Sequence, residues 1–429
     1  MPSARALWSR GPLAVLGVLA LVRIAVPLAV LAASGRKLPG VPRYAYVPTT
    51  GDGSGFYAAT REFLASWGRI PTVALVGLAV TAVTAAGALG WAWRRQRAPR
   101  AWLIVLAAAG FALVVTPAIG EMHPPGAAVF GWPLLWSLPM LPYRALGFPL
   151  DPDIAFGFGL VLSLLANVVT VVATAVCGLY ATARRSLALL AAALFAFWPL
   201  IVGVVGGARS WENGTWTVDA GLAMYTEPVS TALVTVALAL LLSPRLTSTR
   251  LALAGVALSL ATAVKLTNVL AAAAALVLVA ARVERRRALA YVAGAVSFVS
   301  VVATYWPKGY SAQFDNPNSW PRHPFSAGYV VHSWSDSLLF RPPTLLVLAP
   351  LAVIGFLAVR NVWRRLLLAA WIVGNAVFYS FYRVTPQHPR FLFASLPAVF
   401  VLWSAGAGTV LRLVPTPRSP SSRTLARGA

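Results

Sequence analysis

The chain has 429 residues, of which 59% are hydrophobic and 11% charged, and its mean hydropathy is +0.75. That balance excludes a soluble globular domain and describes a polytopic membrane protein. A net charge of +24 would suit nucleic acid, but most arginines stand in short runs between apolar stretches. Such placement anchors a chain to the cytoplasmic leaflet, so a nucleic-acid partner is set aside in favour of the lipid bilayer. The single cysteine, Cys177, lies in an apolar stretch, which excludes a disulfide framework and a thiolate metal site.

About 20 apolar residues cross the roughly 30 Å of hydrocarbon in a bilayer. Arg5 and Arg10 precede an apolar run over 11–33 that is long and interrupted by Arg23, which reads as an uncleaved first helix rather than a secretory signal. Further spans are predicted over 70–92, 101–120, 154–180, 186–207, 229–243, 251–265, 267–281, 288–306, 344–359, 366–383 and 391–411, about 12 in all. The pieces 251–265 and 267–281 are each about 22 Å of helix, short for a crossing. An out-and-back pair turning at Lys265–Leu266–Thr267–Asn268 keeps Arg245 and Arg250 on the same side as Arg282 and Arg285. The expected fold is an all-α membrane protein, with one transmembrane catalytic domain over 1–412 and a basic, disordered tail over 413–429.

The connections alternate in character. One set is short and arginine-rich and, with both ends of the chain, holds 21 of the 35 cations and one acid, Glu284. The other set (34–69, 121–153, 208–228, 307–343 and 384–390) is richer in Trp, Tyr, Pro and Gly, and carries the other ten acids and all four histidines. The positive-inside rule makes the first set cytoplasmic, places both termini there, and leaves the second set outside a plasma membrane. Carboxylates and imidazoles do acid–base work near neutral pH, so chemistry is expected on the outer face.

Five segments stand out there. Gly51–Asp52–Gly53–Ser54–Gly55–Phe56–Tyr57 brings a carboxylate into a glycine-rich bend, either for a ligand or as a solvated turn. Glu121–Met122–His123–Pro124–Pro125–Gly126 follows a span, where Pro-Pro fixes the direction of Glu121 and His123. The Trp132–Tyr143 stretch after it reads as an amphipathic interfacial segment. Glu227 in Tyr225–Thr226–Glu227–Pro228 either serves a site or favours a helix N-terminus through the dipole. Lys265, at a turn among apolar residues, either snorkels or meets a phosphate. Arg383 and Arg390 flank His388 in a very short connection, which concentrates positive charge for an anionic head group.

In that order these segments resemble the GT-C superfamily of membrane glycosyltransferases, which use polyprenyl-phosphate sugars. Asp52 with Phe56–Tyr57 looks like the catalytic acid of the first outer loop, although Gly53 stands where a second acid is common. His123–Pro124–Pro125, Tyr225–Thr226–Glu227, Lys265 and His388–Pro389–Arg390–Phe391 are similar to further segments of the family, including mannosyltransferases. The resemblance covers about residues 10–412. It implies transfer of a sugar, mannose by preference, from a polyprenyl-phosphate donor to a hydroxyl of a glycan, glycolipid or protein acceptor, with inversion. Asp52 would be the base; Glu121 and His123 would assist it. Arg390, Arg383, Lys265 and His388 would hold the donor phosphate, and Tyr57 and Glu227 would position substrate. No tightly held metal is implied, but a divalent cation would fit if Asp52, Glu121 and His123 converge. The alternative is a transporter or flippase of a lipid-linked or anionic solute. It predicts a polar pathway through spans in which only Arg23 and Lys265 are ionisable, with Arg383 at an end.

Overall fold

Hydrocarbon offers no water to bond with, so each backbone N–H and C=O must be paired inside the chain, and a helix does this locally. The computed structural model describes residues 9–33, 52–67, 100–123, 129–212, 221–222, 225–311, 325–331, 342–382 and 389–413. In chain order they form α1 (Arg10–Ala33), α2 (Asp52–Trp67), α3 (Arg100–Gly120), α4 (Gly131–Ser137), α5 (Met140–Ala145), α6 (Pro152–Thr182) and α7 (Arg185–Glu212). There follow α8 (Glu227–Leu242), α9 (Ser248–Val264), α10 (Val269–Arg282), α11 (Arg285–Ala295), α12 (Val299–Tyr310), α13 (Pro342–Ala358), α14 (Val362–Phe381) and α15 (Leu396–Leu413). Short 3-10 helices, Leu266–Asn268 and Pro389–Ser395, precede α10 and α15. Among the described residues there is no strand, only one isolated bridge between Phe325 and Tyr382.

Among the described residues five stretches are long and apolar enough to cross a membrane: Arg10–Ala29, Arg100–Gly120, Ile154–Thr182, Arg285–Tyr310 and Leu392–Leu413. Shorter apolar helices lie over Arg185–Ile201, Glu227–Leu242, Ser248–Val264, Leu266–Arg282 and Leu348–Ala358. This is an all-α architecture compatible with a multi-pass membrane protein. The helix ends follow local chemistry. Asp151 Oδ1 accepts from Ile154 N at 2.9 Å and Pro152 follows, which starts α6; Ala183, at φ 58°, ends it. At 31 residues α6 is about 46 Å long, more than the hydrocarbon needs. Helix hydroxyls such as Thr170, Thr174, Thr235 and Ser404 donate to carbonyls four residues back, so none needs water.

The predicted spans fall on helices, except 70–92, which lies outside the described residues with the tail beyond Leu413. Three differences are informative. The interval 288–306 is two helices, α11 and α12, broken at 296–298, and Ser259 Oγ accepts the Phe298 N–H at 2.9 Å. The glycine-rich bend at 51–57 is largely the first turns of α2, which Asp52 opens. The Trp132–Tyr143 stretch is exposed only at its far end, at Pro142: Trp132 and Trp136 are fully buried, and Trp136 Nε1 donates to Ala155 O at 2.6 Å.

The helices run between two ends. At one, the turns 243–247, 282–287 and 361–364 surround a common cavity, Trp363 Nε1 donates to Leu241 O at 3.1 Å, and Arg364 donates to Tyr180 O. Because the start of α9 and the finish of α10 both reach this arginine-rich end, α9 and α10 go out and back, as the charge pattern predicts. Close approaches hold the bundle together. A Cβ on Gly255 would overlap the Tyr291 carbonyl, and one on Gly294 the Ala252 carbonyl, so α9 and α11 touch backbone to backbone. Gly131 similarly sits on the Ala263–Val264 backbone. Gly131→Ala is therefore expected to push α4 off the α9 terminus and cost about 1–3 kcal/mol, read as a lower midpoint of thermal unfolding in detergent; an unchanged midpoint would show that α4 docks loosely.

Candidate functional site

The end of the bundle opposite the arginine turns contains a buried ion pair. Thr226–Glu227–Pro228 begins α8, with proline in its first turn, where its missing N–H costs nothing. Glu227 does more than favour the helix dipole. Its side chain is 4% exposed, and Oε1 lies 3.2 Å from Nζ of Lys265, itself 12% exposed. Thr226 Oγ1 donates to the other carboxylate oxygen at 3.2 Å.

Lys265 reaches this position because the backbone leaves the helix there. After Val264 it is extended (φ −149°, ψ 110°), and the 3-10 turn Leu266–Asn268 follows before α10. Asn268 holds the turn, donating from Nδ2 to Ser230 Oγ at 2.7 Å and to Ala261 O at 2.9 Å. Tyr379, near the end of α14, donates to Thr267 Oγ1 at 3.2 Å, and its ring centre is 5.5 Å from Lys265 Nζ. Two charges removed from water survive only with close geometry and further hydrogen bonds, and both are present here. A helix interrupted within the bundle by a polar turn is a common place for ligand sites in membrane proteins.

α2 packs on α3 and α4. Phe56 is buried in one cluster with Trp132, Trp136, Phe156, Val229 and Val264, the last two being close chain neighbours of Glu227 and Lys265. Phe63, two turns on, lies 5.2 Å from Phe130, whose ring is 5.1 Å from Tyr305. Ala263 belongs to the same buried cluster as Phe63 and Phe130, so both turns of α2 share buried clusters with the end of α9; the Asp52 side chain lies outside the described residues. The Tyr57 ring centre lies 4.5 Å from that of Phe156 and 6.0 Å from that of Trp136, tilted to both. It lines a cavity of about 360 Å³ with Thr60, Arg61, Leu64, Met140, Arg144 and Phe148. Arg144 is held there by donation to Leu64 O at 2.7 Å, and Arg61 lies 5.8 Å from the Tyr57 ring centre.

The other candidates are placed as follows. Glu121 is exposed at the end of α3. His123 is also exposed, with Nδ1 3.7 Å from Glu62 Oε1, and its backbone N–H donates to the same oxygen. Glu62 is ten residues along α2 from Asp52, about 15 Å of helix, so His123 is tied to the middle of α2 and not to its Asp52 end. Arg390 lies in the 3-10 helix Pro389–Ser395, which packs on α8 and α14 and is fixed by Asn375 Nδ2 donating to Ser395 Oγ at 2.8 Å. Its side chain, and all of Arg383 and His388, lie outside the described residues. Among the described residues no three His, Cys, Asp or Glu side chains gather as metal ligands.

Sequence reasoning missed Glu62, Arg61, Arg144 and Tyr379, and placed Asn268 in the turn without giving it a role. An Asn three residues after Lys265 was a legible signal for a stitched turn; the arginines looked like ordinary loop cations. Arg23 also gains partners that no local pattern announces. It is fully buried, donates to Asn167 Oδ1 at 3.0 Å and Phe195 O at 3.2 Å, and lies 4.5 Å from the Phe195 ring centre. Compared with models of known protein families the chain matches none, and a search of curated proteins finds no significant match.

Proposed function

We propose that the protein is an integral-membrane glycosyltransferase of GT-C type, with about 12 spans. It moves a sugar, mannose by preference, from a polyprenyl-phosphate donor to an acceptor hydroxyl on the outer face of the plasma membrane. The observation that carries this reading is the buried Glu227–Lys265 pair at the α9–α10 break, at the end of the bundle opposite the arginine turns; Val229 and Val264 near it share a buried cluster with Phe56 of the helix that Asp52 opens. Charged groups inside a membrane protein are expensive and mark functional sites.

In the proposed reaction the Asp52 carboxylate takes the proton of the acceptor hydroxyl as its oxygen bonds to the anomeric carbon. The bond from that carbon to the phosphate oxygen breaks, polyprenyl phosphate leaves with the electron pair, and the anomeric configuration inverts. Cations stabilise the charge that develops on the phosphate, and Arg390 and Lys265 are the candidates for that work. The Tyr57 cavity supports the reading because it joins two cations to apolar walls, a lining suited to an amphiphilic phosphate.

The test incubates membranes containing the full chain with radiolabelled polyprenyl-phosphate mannose and other sugars. Label transferred to an acceptor, dependent on this protein, supports the proposal. Label moved across the bilayer with no new glycosidic bond would favour the flippase instead. Within the same assay Arg390→Ala is expected to raise the donor KM by about tenfold or more, the loss of one charge-assisted phosphate contact; an unchanged donor KM removes Arg390 from that role.

A further inference from the structure

At the arginine-rich end a second cavity, of about 510 Å³, is lined by the turns 243–247, 282–287 and 361–364. Arg245, Arg282, Arg287 and Arg364 face it against a single acid, Glu284. Helix termini also meet at the cavity. Thr247, Glu284 and Asn361 are the N-caps of α9, α11 and α14, and all three line the cavity. Three helix N-termini therefore meet there, together with the C-termini of α8 and α10 and the last turn of α6, whose Tyr180 carbonyl accepts from Arg364, so the arginines and not the helix dipoles carry the charge of the site. Two of those caps are made by side chains, Thr247 Oγ1 accepting from Arg250 N at 3.3 Å and Asn361 Oδ1 from Arg364 N at 3.2 Å.

Arg364 is buried, and the charge of Arg282 acts unfavourably on it. Like charges gathered around an open volume are stabilised by an anion between them. Arg282 also stacks on Trp363, with Cζ 5.2 Å from the ring centre, which leaves the N–H donors of its planar guanidinium in the geometry that matches phosphate oxygens. Arg250, donating to Arg245 O at 2.8 Å and to Ser243 Oγ, holds the first turn of the wall. None of these groups belongs to the Asp52–Glu227–Lys265 end.

We infer that this cavity is a binding site for a phosphate-bearing anion, separate from the proposed transfer site. The phosphate belongs either to the head group of an anionic lipid or to a soluble phosphate compound. Both share the chemistry that arginines and helix N-termini recognise, and basic pockets between membrane helices are known to take lipid head groups.

The experiment uses the full chain purified in a neutral detergent and titrated separately with pyrophosphate and with short-chain phosphatidic acid in mixed micelles, bound anion being counted by native mass spectrometry. One of the two probes is expected to bind saturably, one per chain. The double variant Arg282→Gln, Arg287→Gln is expected to weaken that binding by about tenfold or more, and Arg286→Gln, exposed in the same turn but outside the lining, to leave it unchanged. Saturable binding of phosphatidic acid alone identifies the bilayer as the source; binding of pyrophosphate identifies a soluble compound. The inference is overturned if neither probe saturates, if the double variant binds as well as wild type, or if Arg286→Gln weakens binding equally, since net charge would then suffice.

Discussion

Glu227→Ala is expected to destabilise the protein by about 3–5 kcal/mol and to abolish sugar transfer. The substitution leaves the Lys265 ammonium without its carboxylate in a site where both side chains are nearly excluded from solvent. Removing one partner of such a pair exposes the full desolvation cost of the other. Replacing both by apolar residues of similar size does not, so the pair Glu227→Leu, Lys265→Met is expected to recover most of the lost stability while remaining inactive. That contrast separates the roles of the two charges: recovery of both properties would make the pair purely structural, and full stability of Glu227→Ala would show that the lysine is satisfied elsewhere. Cys177, the chain's single cysteine and fully buried, provides the readout, because a thiol reagent reaches it only as the bundle opens.

The Lys265 turn also shows what the sequence made legible. Two apolar stretches, each short for a bilayer, with arginines at both outer ends, leave the chain little choice but to go out and back. The turn residues can then be read directly. Tertiary partners cannot. Glu227 and Lys265 are 38 residues apart, Arg23 and Asn167 are 144 apart, and in each case the pairing depends on how helices pack rather than on any local period. The buried α4 was misread for a related reason. Its Trp-rich stretch has the composition of an interfacial segment, and only the fit of Gly131 against Val264 shows that it enters the bundle. Glu62 has no sequence signature, because one more acid in an acid-bearing connection carries no spacing signal; its contact with His123 is made between α2 and the segment after α3.

Asp52→Asn is expected to lower the rate of transfer by about 10²–10⁴-fold, the usual contribution of a positioned general base, with donor binding preserved. Asparagine keeps the size of the side chain and remains a favourable residue at the start of α2, so Cys177 should stay as protected as in wild type. Glu62→Gln is the matched control on the same helix. It removes the other acid of α2, whose carboxylate is tied to His123, and its effect on transfer should be no more than a few-fold. If instead Glu62→Gln were inactive and Asp52→Asn retained full rate, the base would be the Glu62–His123 couple. The acceptor would then have to approach the middle of α2, on the side of Phe63 and Tyr305, rather than the end that Asp52 opens. These two variants therefore decide which end of one sixteen-residue helix faces the substrate. We expect the first, because Phe56 shares a buried cluster with chain neighbours of both Glu227 and Lys265, whereas Phe63 shares one with a neighbour of Lys265 alone, Ala263.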